Sequence, residues 1–143
     1  MNITTKDMGK WCLFEYWMQD AEHSEYHIGK IEWVGSYYPY AEQTAIDITR
    51  FGLEYDNIQA SVVIMMGEKI EDIIEEDDLI ETNIMFYPAV VMRNENGVIT
   101  TTMGEVGSDE IIWKIWKLNK RSEEWTEQHY SLQYDRDKLK EEV

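Results

Sequence analysis

Apolar and polar residues alternate along this chain in short runs separated by turn residues, a pattern that predicts β-strands more often than helices. Lys10 to Met18 is aromatic and apolar with few breaks, so it reads as a strand buried on much of both faces. Asp20 to Ser24 is polar and turn-like, and Tyr26 to Val34, ending at Gly35, returns as the second strand of a hairpin. Asn57 to Met66, rich in Val and Ile, is a further strand closed by Gly67. Asn83 to Met92 is a long apolar run in which Pro88 removes one ladder donor, which points to an edge or a bulge. Asn94 to Gly97 is a turn, and Val98 to Met103 is the returning strand of a hairpin over 83–103. Glu110 to Asn119 alternates Ile112, Lys114, Trp116 and Leu118 on one face with Ile111, Trp113, Ile115 and Lys117 on the other. A polar connection at 120–124 leads to Trp125 to Tyr134, which closes a second C-terminal hairpin.

Two segments have helical patterning. Residues 68–77 place Ile70, Ile73 and Ile74 at helical spacing, with acids over the rest of the cylinder and near its positive end. Asp135 to Glu142 is charged with Leu139 as its one apolar residue, a short terminal helix. Residues 40–51 carry mixed signals. Pro39 and Gly52 are helix punctuation, while Thr-Ala-Ile-Asp-Ile-Thr has period two and favours a strand. The expected fold is α+β and mostly antiparallel β: a barrel or sandwich of about seven to eight strands with one short acidic helix and a C-terminal helical tail. It is expected to be a single domain over 1–143.

Charge changes the picture. The 143 residues carry 13 Lys and Arg against 29 Asp and Glu, a net charge of −16, yet the chain is 43% hydrophobic and 13% aromatic, enough to build a core. A surface this negative repels phosphate backbones and anionic lipid, so neither nucleic acid nor membrane is an expected direct partner. There is no apolar stretch of spanning length and no basic-then-apolar leader pattern, so the expected location is the cytoplasm of a bacterial or phage-infected cell. Residues 67–110 hold 2 basic and 12 acidic residues, net −10, whereas 111–143 hold 7 of each. Within the middle segment Glu68, Glu71, Asp72, Glu75, Glu76, Asp77, Asp78 and Glu81 are opposed locally by Lys69 alone. Soluble domains usually intersperse both signs, because a field of one sign costs self-repulsion.

Catalytic and metal signatures are sparse. Cys12 lies in an apolar strand, where a thiol is inert, and a lone cysteine excludes intramolecular disulfides and multi-cysteine zinc sites. His23, Glu25 and His27 would share one face of an extended segment, but no second His or Cys cluster completes a metal site, and a polar loop running into a strand accounts for them. The acidic block lacks the spacing of a calcium loop. Glycine-rich phosphate loops, the nucleophile elbow and the Ser-x-x-Lys pair are all missing, so an enzyme is not expected, nor a cofactor or metal.

Two functional expectations remain. Unneutralised carboxylates near exposed aromatics suit a non-enzymatic antagonist that binds a basic, nucleic-acid-acting protein such as a nuclease by charge mimicry. In composition the chain is similar to anti-CRISPR and anti-restriction proteins of phage and to toxin-immunity proteins. The expected contact residues are the eight acids of 68–81 together with Tyr37, Tyr38 and Tyr40, an aromatic loop around Pro39 of the kind enriched in binding hot spots. The oligomeric state is left open. Alternatively, Gly9, Lys10 and Trp11 resemble the Gly-x-Trp signature at the first strand of lipocalin-like calycin barrels. That resemblance implies a cavity for a small apolar ligand, lined by residues such as Trp11, Met85, Trp113 and Trp116. Sequestering a nucleotide signal would draw instead on Lys114, Lys117, Lys120 and Arg121.

Overall fold

A computed structural model of the chain describes residues 2–17, 24–119 and 129–139. In it the chain is mostly antiparallel β. The strands are β1 (Trp11–Trp17), β2 (Ser24–Ser36), β3 (Thr44–Arg50), β4 (Leu53–Gln59), β5 (Val63–Gly67), β6 (Leu79–Thr82), β7 (Ala89–Glu95), β8 (Val98–Thr101), β9 (Gly104–Glu105), β10 (Ile112–Asn119) and β11 (His129–Asp135), followed by helix α1 (Arg136–Leu139). They form two sheets, one of five strands in the order β4-β3-β2-β1-β5 and one of six in the order β11-β10-β6-β7-β8-β9.

The five-stranded sheet is curled. Its edge strands β4 and β5 are joined only by the 3-10 turn Ala60–Val62. Four residue steps from Gln59 to Val63 reach at most about 14 Å, whereas four inter-strand spacings across a flat sheet span about 19 Å. The edges must therefore approach one another. Register shifts at Leu13/Phe14, Ile31/Trp33 and Ile46/Ile48 supply the bends. Gly29 has a steric role in the same bend, since a side chain there would run into Ile48 and Phe14. The concave side holds a buried cluster of Ile3, Cys12, Phe14, Ile31, Val34, Ile46, Ile48 and Val63.

The outer side of β1 and β2 packs against the six-stranded sheet. Leu13 and Ile28 join Ile73, Ile74, Ile80, Val91, Ile99, Ile112, Ile115 and Tyr134 in a second buried cluster. Because Leu13 faces one core while Cys12 and Phe14 face the other, β1 is apolar on both faces, as its unbroken run predicts. No ladder joins the two sheets or closes either one among the described residues.

Several boundaries differ from expectation, each for a local reason. The predicted helix over 68–77 is a single 3-10 turn, Ile70–Ile73. A helix would bond the Glu75 N–H to the Glu71 carbonyl, but that N–H donates to Asp78 Oδ2 (2.8 Å) and that carbonyl accepts from Asn94 Nδ2 (2.9 Å). Side-chain bonds, a local one to Asp78 and a long-range one from Asn94 of β7, have outcompeted the helix. Residues 79–82, to which the sequence pattern assigns no element, form β6. The strand predicted from Asn83 begins only at Ala89, and the hairpin turns on Asn96 and Gly97, both with positive φ (53° and 78°), leaving Asn94 and Glu95 in β7. The strand predicted over 57–66 is split between β4 and β5. Residues 40–51 resolve in favour of β3. The two-face alternation of 110–119 breaks once, where β10 shifts register against β6 at Ile112/Lys114, so Ile112 of one predicted face is buried together with Ile115 and Lys117 of the other. The terminal helix is one turn within the described residues. The expected turn at 20–24 lies outside them up to residue 23, as do 120–128, including the start of the strand predicted from Trp125.

Candidate functional site

The acidic segment leaves β5 at Gly67, turns once at Ile70–Ile73, and passes Lys117 of β10 before entering β6. Its apolar residues Ile73 and Ile74 are drawn into the inter-sheet core, so its carboxylates are sorted by what lies beneath them. Lys117 lies beneath. It projects inward from β10, is 2% exposed, and donates to Asp78 Oδ2 at 2.6 Å, to the Ile73 carbonyl at 2.9 Å and to Glu75 Oε1 at 3.1 Å. Three acceptors thus meet the three N–H groups of one ammonium. Burial pushes the Asp78 carboxyl up to about 6, against the pull of Lys117.

The eight acids therefore do different things. Asp78 is buried in that ion pair, and Glu75 reaches it from the surface. Asp72 accepts from the Lys69 N–H at 3.0 Å and lies against Gly67. Glu68, Glu76 and Asp77 are exposed, while Glu71 and Glu81 are half-buried. Two open grooves flank the turn. One, of about 490 Å³, has Glu71, Asp72, Glu105 and Glu110 along it with Lys69. The other, of about 420 Å³, runs past Glu75, Glu76 and Glu95 with Arg93. Glu95, Glu105 and Glu110 were not marked by the sequence reading. They lie 14 or more residues beyond the block, and only the pairing of β7, β8 and β9 folds them back beside it.

The tyrosine loop is built separately. Tyr37 and Tyr40 stack at 6.3 Å and 11°, around a cis Tyr38–Pro39 bond. Tyr38 is 81% exposed, and its backbone exchanges hydrogen bonds with the Asn57 amide at 3.1 and 3.0 Å. The hydrogen bonds of the loop, to Asn57, and those of the acidic turn, to Asp72, Asp78, Asn94 and Lys117, share no residue.

The other candidates fall into structural roles. Trp11 packs edge-on against Tyr134 at 5.4 Å, and Met85 borders the inter-sheet core, whereas Trp113 is 38% exposed, so these residues do not face one chamber. Lys117 is committed to Asp78, Lys114 pairs across from Glu81, and Lys120 and Arg121 lie outside the described residues. Cys12 is buried and its thiol is pushed up to about 12 by burial, so it stays protonated. His23 lies outside the described residues. His27 is 5% exposed, stacks on Tyr16 at 5.2 Å, and meets Glu25 Oε2 through Nε2 at 3.1 Å. Burial and then the nearby Arg50 hold His27 below the ordinary histidine value, with Glu25 opposing them. Arg50 also donates to the buried Gln133 of β11, linking the two sheets. On β3 and β4, Asp47, Glu54 and Asp56 bring carboxylates within 4.8 Å of one another, and Glu54 is held above the usual carboxylate range chiefly by Asp56.

No protein-family model matches this chain, and neither curated proteins nor solved structures yield a match.

Proposed function

We propose that this chain is a non-enzymatic acidic antagonist, which docks on a basic, nucleic-acid-acting protein and occupies the surface that protein uses for phosphates. The supporting observation is the pair of grooves beside the Ile70–Ile73 turn, where carboxylates from three stretches of chain border two open clefts with only Lys69 and Arg93 as cations. Carboxylates spaced along a groove edge offer a basic surface the charge pattern of a nucleic-acid backbone without its sugar or bases. Such a field accelerates encounter and disfavours partners of like charge. Cytoplasmic settings that fit this chemistry are counter-defence by a phage and immunity against a nuclease toxin.

The internal work of Asp72, Glu75 and Asp78 determines which acids are informative to change. Reversing Glu68, Glu71, Glu76 and Asp77 to Lys spares the Lys117 ion pairs. With the partner recovered by affinity capture from host lysate and then purified, this variant is expected to associate at least about tenfold more slowly, with a flatter dependence on salt. An unchanged association rate at low salt would refute the charge mechanism.

A further inference from the structure

One feature outside the acidic grooves has no role in the fold. Between β6 and β7 the chain exposes three large apolar side chains almost in succession: Ile84 at 64%, Phe86 at 94% and Tyr87 at 65%. The base of this loop is firmly pinned. Thr82 Oγ1 donates to Glu110 Oε2 at 2.8 Å, the Asn83 N–H donates to the Ile111 carbonyl at 3.1 Å, and Asn83 Oδ1 accepts from the Ile111 N–H at 2.9 Å. The Met85 N–H closes the turn onto the Thr82 carbonyl at 3.2 Å, and the Met85 side chain turns inward against the core. The remaining side chains are therefore presented to solvent from a fixed base. Scattered surface hydrophobics are ordinary, but a contiguous, rigidly based apolar tip marks an interaction site. Aromatic anchors presented in this way lose little freedom on binding.

The surroundings indicate what covers it. Glu81, Asp109 and Glu110 adjoin the loop, with Lys114 across from Glu81 as the nearby cation, on a chain of net charge −16. A second copy would bring the same negative rim to face this one, and an anionic bilayer would be repelled. We infer that the 83–88 loop is the apolar anchor of the interface with a basic protein, with Phe86 seated in a hydrophobic pocket bordered by Lys and Arg. This inference rests on the antagonist reading above and adds a second contact to it: the grooves govern encounter and the loop governs residence.

The test compares Phe86→Ser with the four-site Lys variant on the purified partner. Phe86 touches no core residue, so its variant should melt within about 2 °C of the parent. The expected result is a dissociation rate at least about tenfold faster with the salt dependence of association unchanged, the converse of the charge variant. A photoreactive phenylalanine analogue at position 86 should crosslink to that same partner. If the charge variant slows association while Phe86→Ser leaves dissociation unchanged, the anchor is refuted and the antagonist reading stands. If neither variant has an effect, or the parent chain recovers no basic protein, both fail. Two controls also overturn the anchor: a Phe86-dependent dimer in sedimentation velocity, or Phe86-dependent flotation with phosphatidylcholine vesicles.

Discussion

At the scale of single residues, the ion pair of Lys117 and Asp78 decides how the acidic segment is held. Removing one partner of a buried pair leaves the other charge uncompensated, so Lys117→Met is expected to destabilise the protein by about 3–5 kcal/mol at pH 7 in urea denaturation. The folded-state pKa of Asp78, about 6, lies above the ordinary aspartate value. Its contribution is therefore fully present below about pH 4 and is lost as pH rises through 6. The Lys117→Met penalty should accordingly shrink when denaturation is repeated at pH 5, and a penalty independent of pH would contradict this account. His27 behaves in the opposite sense. Its folded pKa is depressed below 6.5, so its contribution is present above that value and is lost as pH falls through the folded pKa. His27→Gln should therefore be less destabilised than the parent when the pH of denaturation is lowered from 7 to 5, and an identical pH profile for the two would contradict this account. Of these features, the inert Cys12 was legible in the sequence because an apolar run predicts burial. The ion pair of Lys117 was not, since Asp78 lies 39 residues earlier: the alternation puts Lys117 on the face of Ile115 but does not say what receives its ammonium.

At the scale of elements, the acidic segment shows why a helical pattern can be satisfied without a helix. Ile70, Ile73 and Ile74 need only one turn to reach the core, and Asn94 of β7 then takes the carbonyls of both Glu71 and Ile74 at 2.9 Å. Asn94→Ala leaves both carbonyls without that donor and is expected to cost about 1–3 kcal/mol in chemical denaturation. A cost indistinguishable from zero would mean that solvent replaces the amide at no loss. The returning half of the 83–103 hairpin and its Asn-Gly turn were readable from sequence, because that dipeptide fits the two positive φ values the turn requires. The start of its first strand was not readable: an apolar composition suits a buried strand and an exposed loop equally, and only the hydrogen bonds of Thr82 and Asn83 to the Glu110–Ile111 segment distinguish them. The acidic turn itself was located correctly and its conformation was not, since the competing donor comes from a different strand.

At the scale of the whole molecule, antiparallel β architecture followed from the spacing of short runs and turns, but the choice between barrel and sandwich did not, and the described residues form eleven strands where seven to eight were expected. The division into two sheets depends on β1 and β2 serving two cores at once, which no local pattern specifies beyond the two-sided apolar character of Lys10 to Met18. Leu13 lies at this junction, 1% exposed, and Leu13→Ala is expected to cost about 2–5 kcal/mol in urea denaturation. The charge of −16 also acts on the folded state as a whole, since compaction concentrates like charges. Raising NaCl from about 10 to 500 mM shortens the Debye length from about 30 Å to below 10 Å and should raise the melting temperature. A melting temperature that falls over this range would mean that the ion pairs outweigh the self-repulsion.

The curled sheet has a consequence for how the chain is made. Every residue of its inner cluster, together with the side chains packed around it, lies between Ile3 and Met66. Synthesis proceeds from the N-terminus at roughly 5–20 residues per second, so this core is chemically complete roughly 4–15 s before the last strand has been translated. During that interval Leu13 and Ile28 face outward with no second sheet to cover them. The nascent chain thus passes through a stage with one finished core and one naked apolar flank, and that flank is where a chaperone would bind.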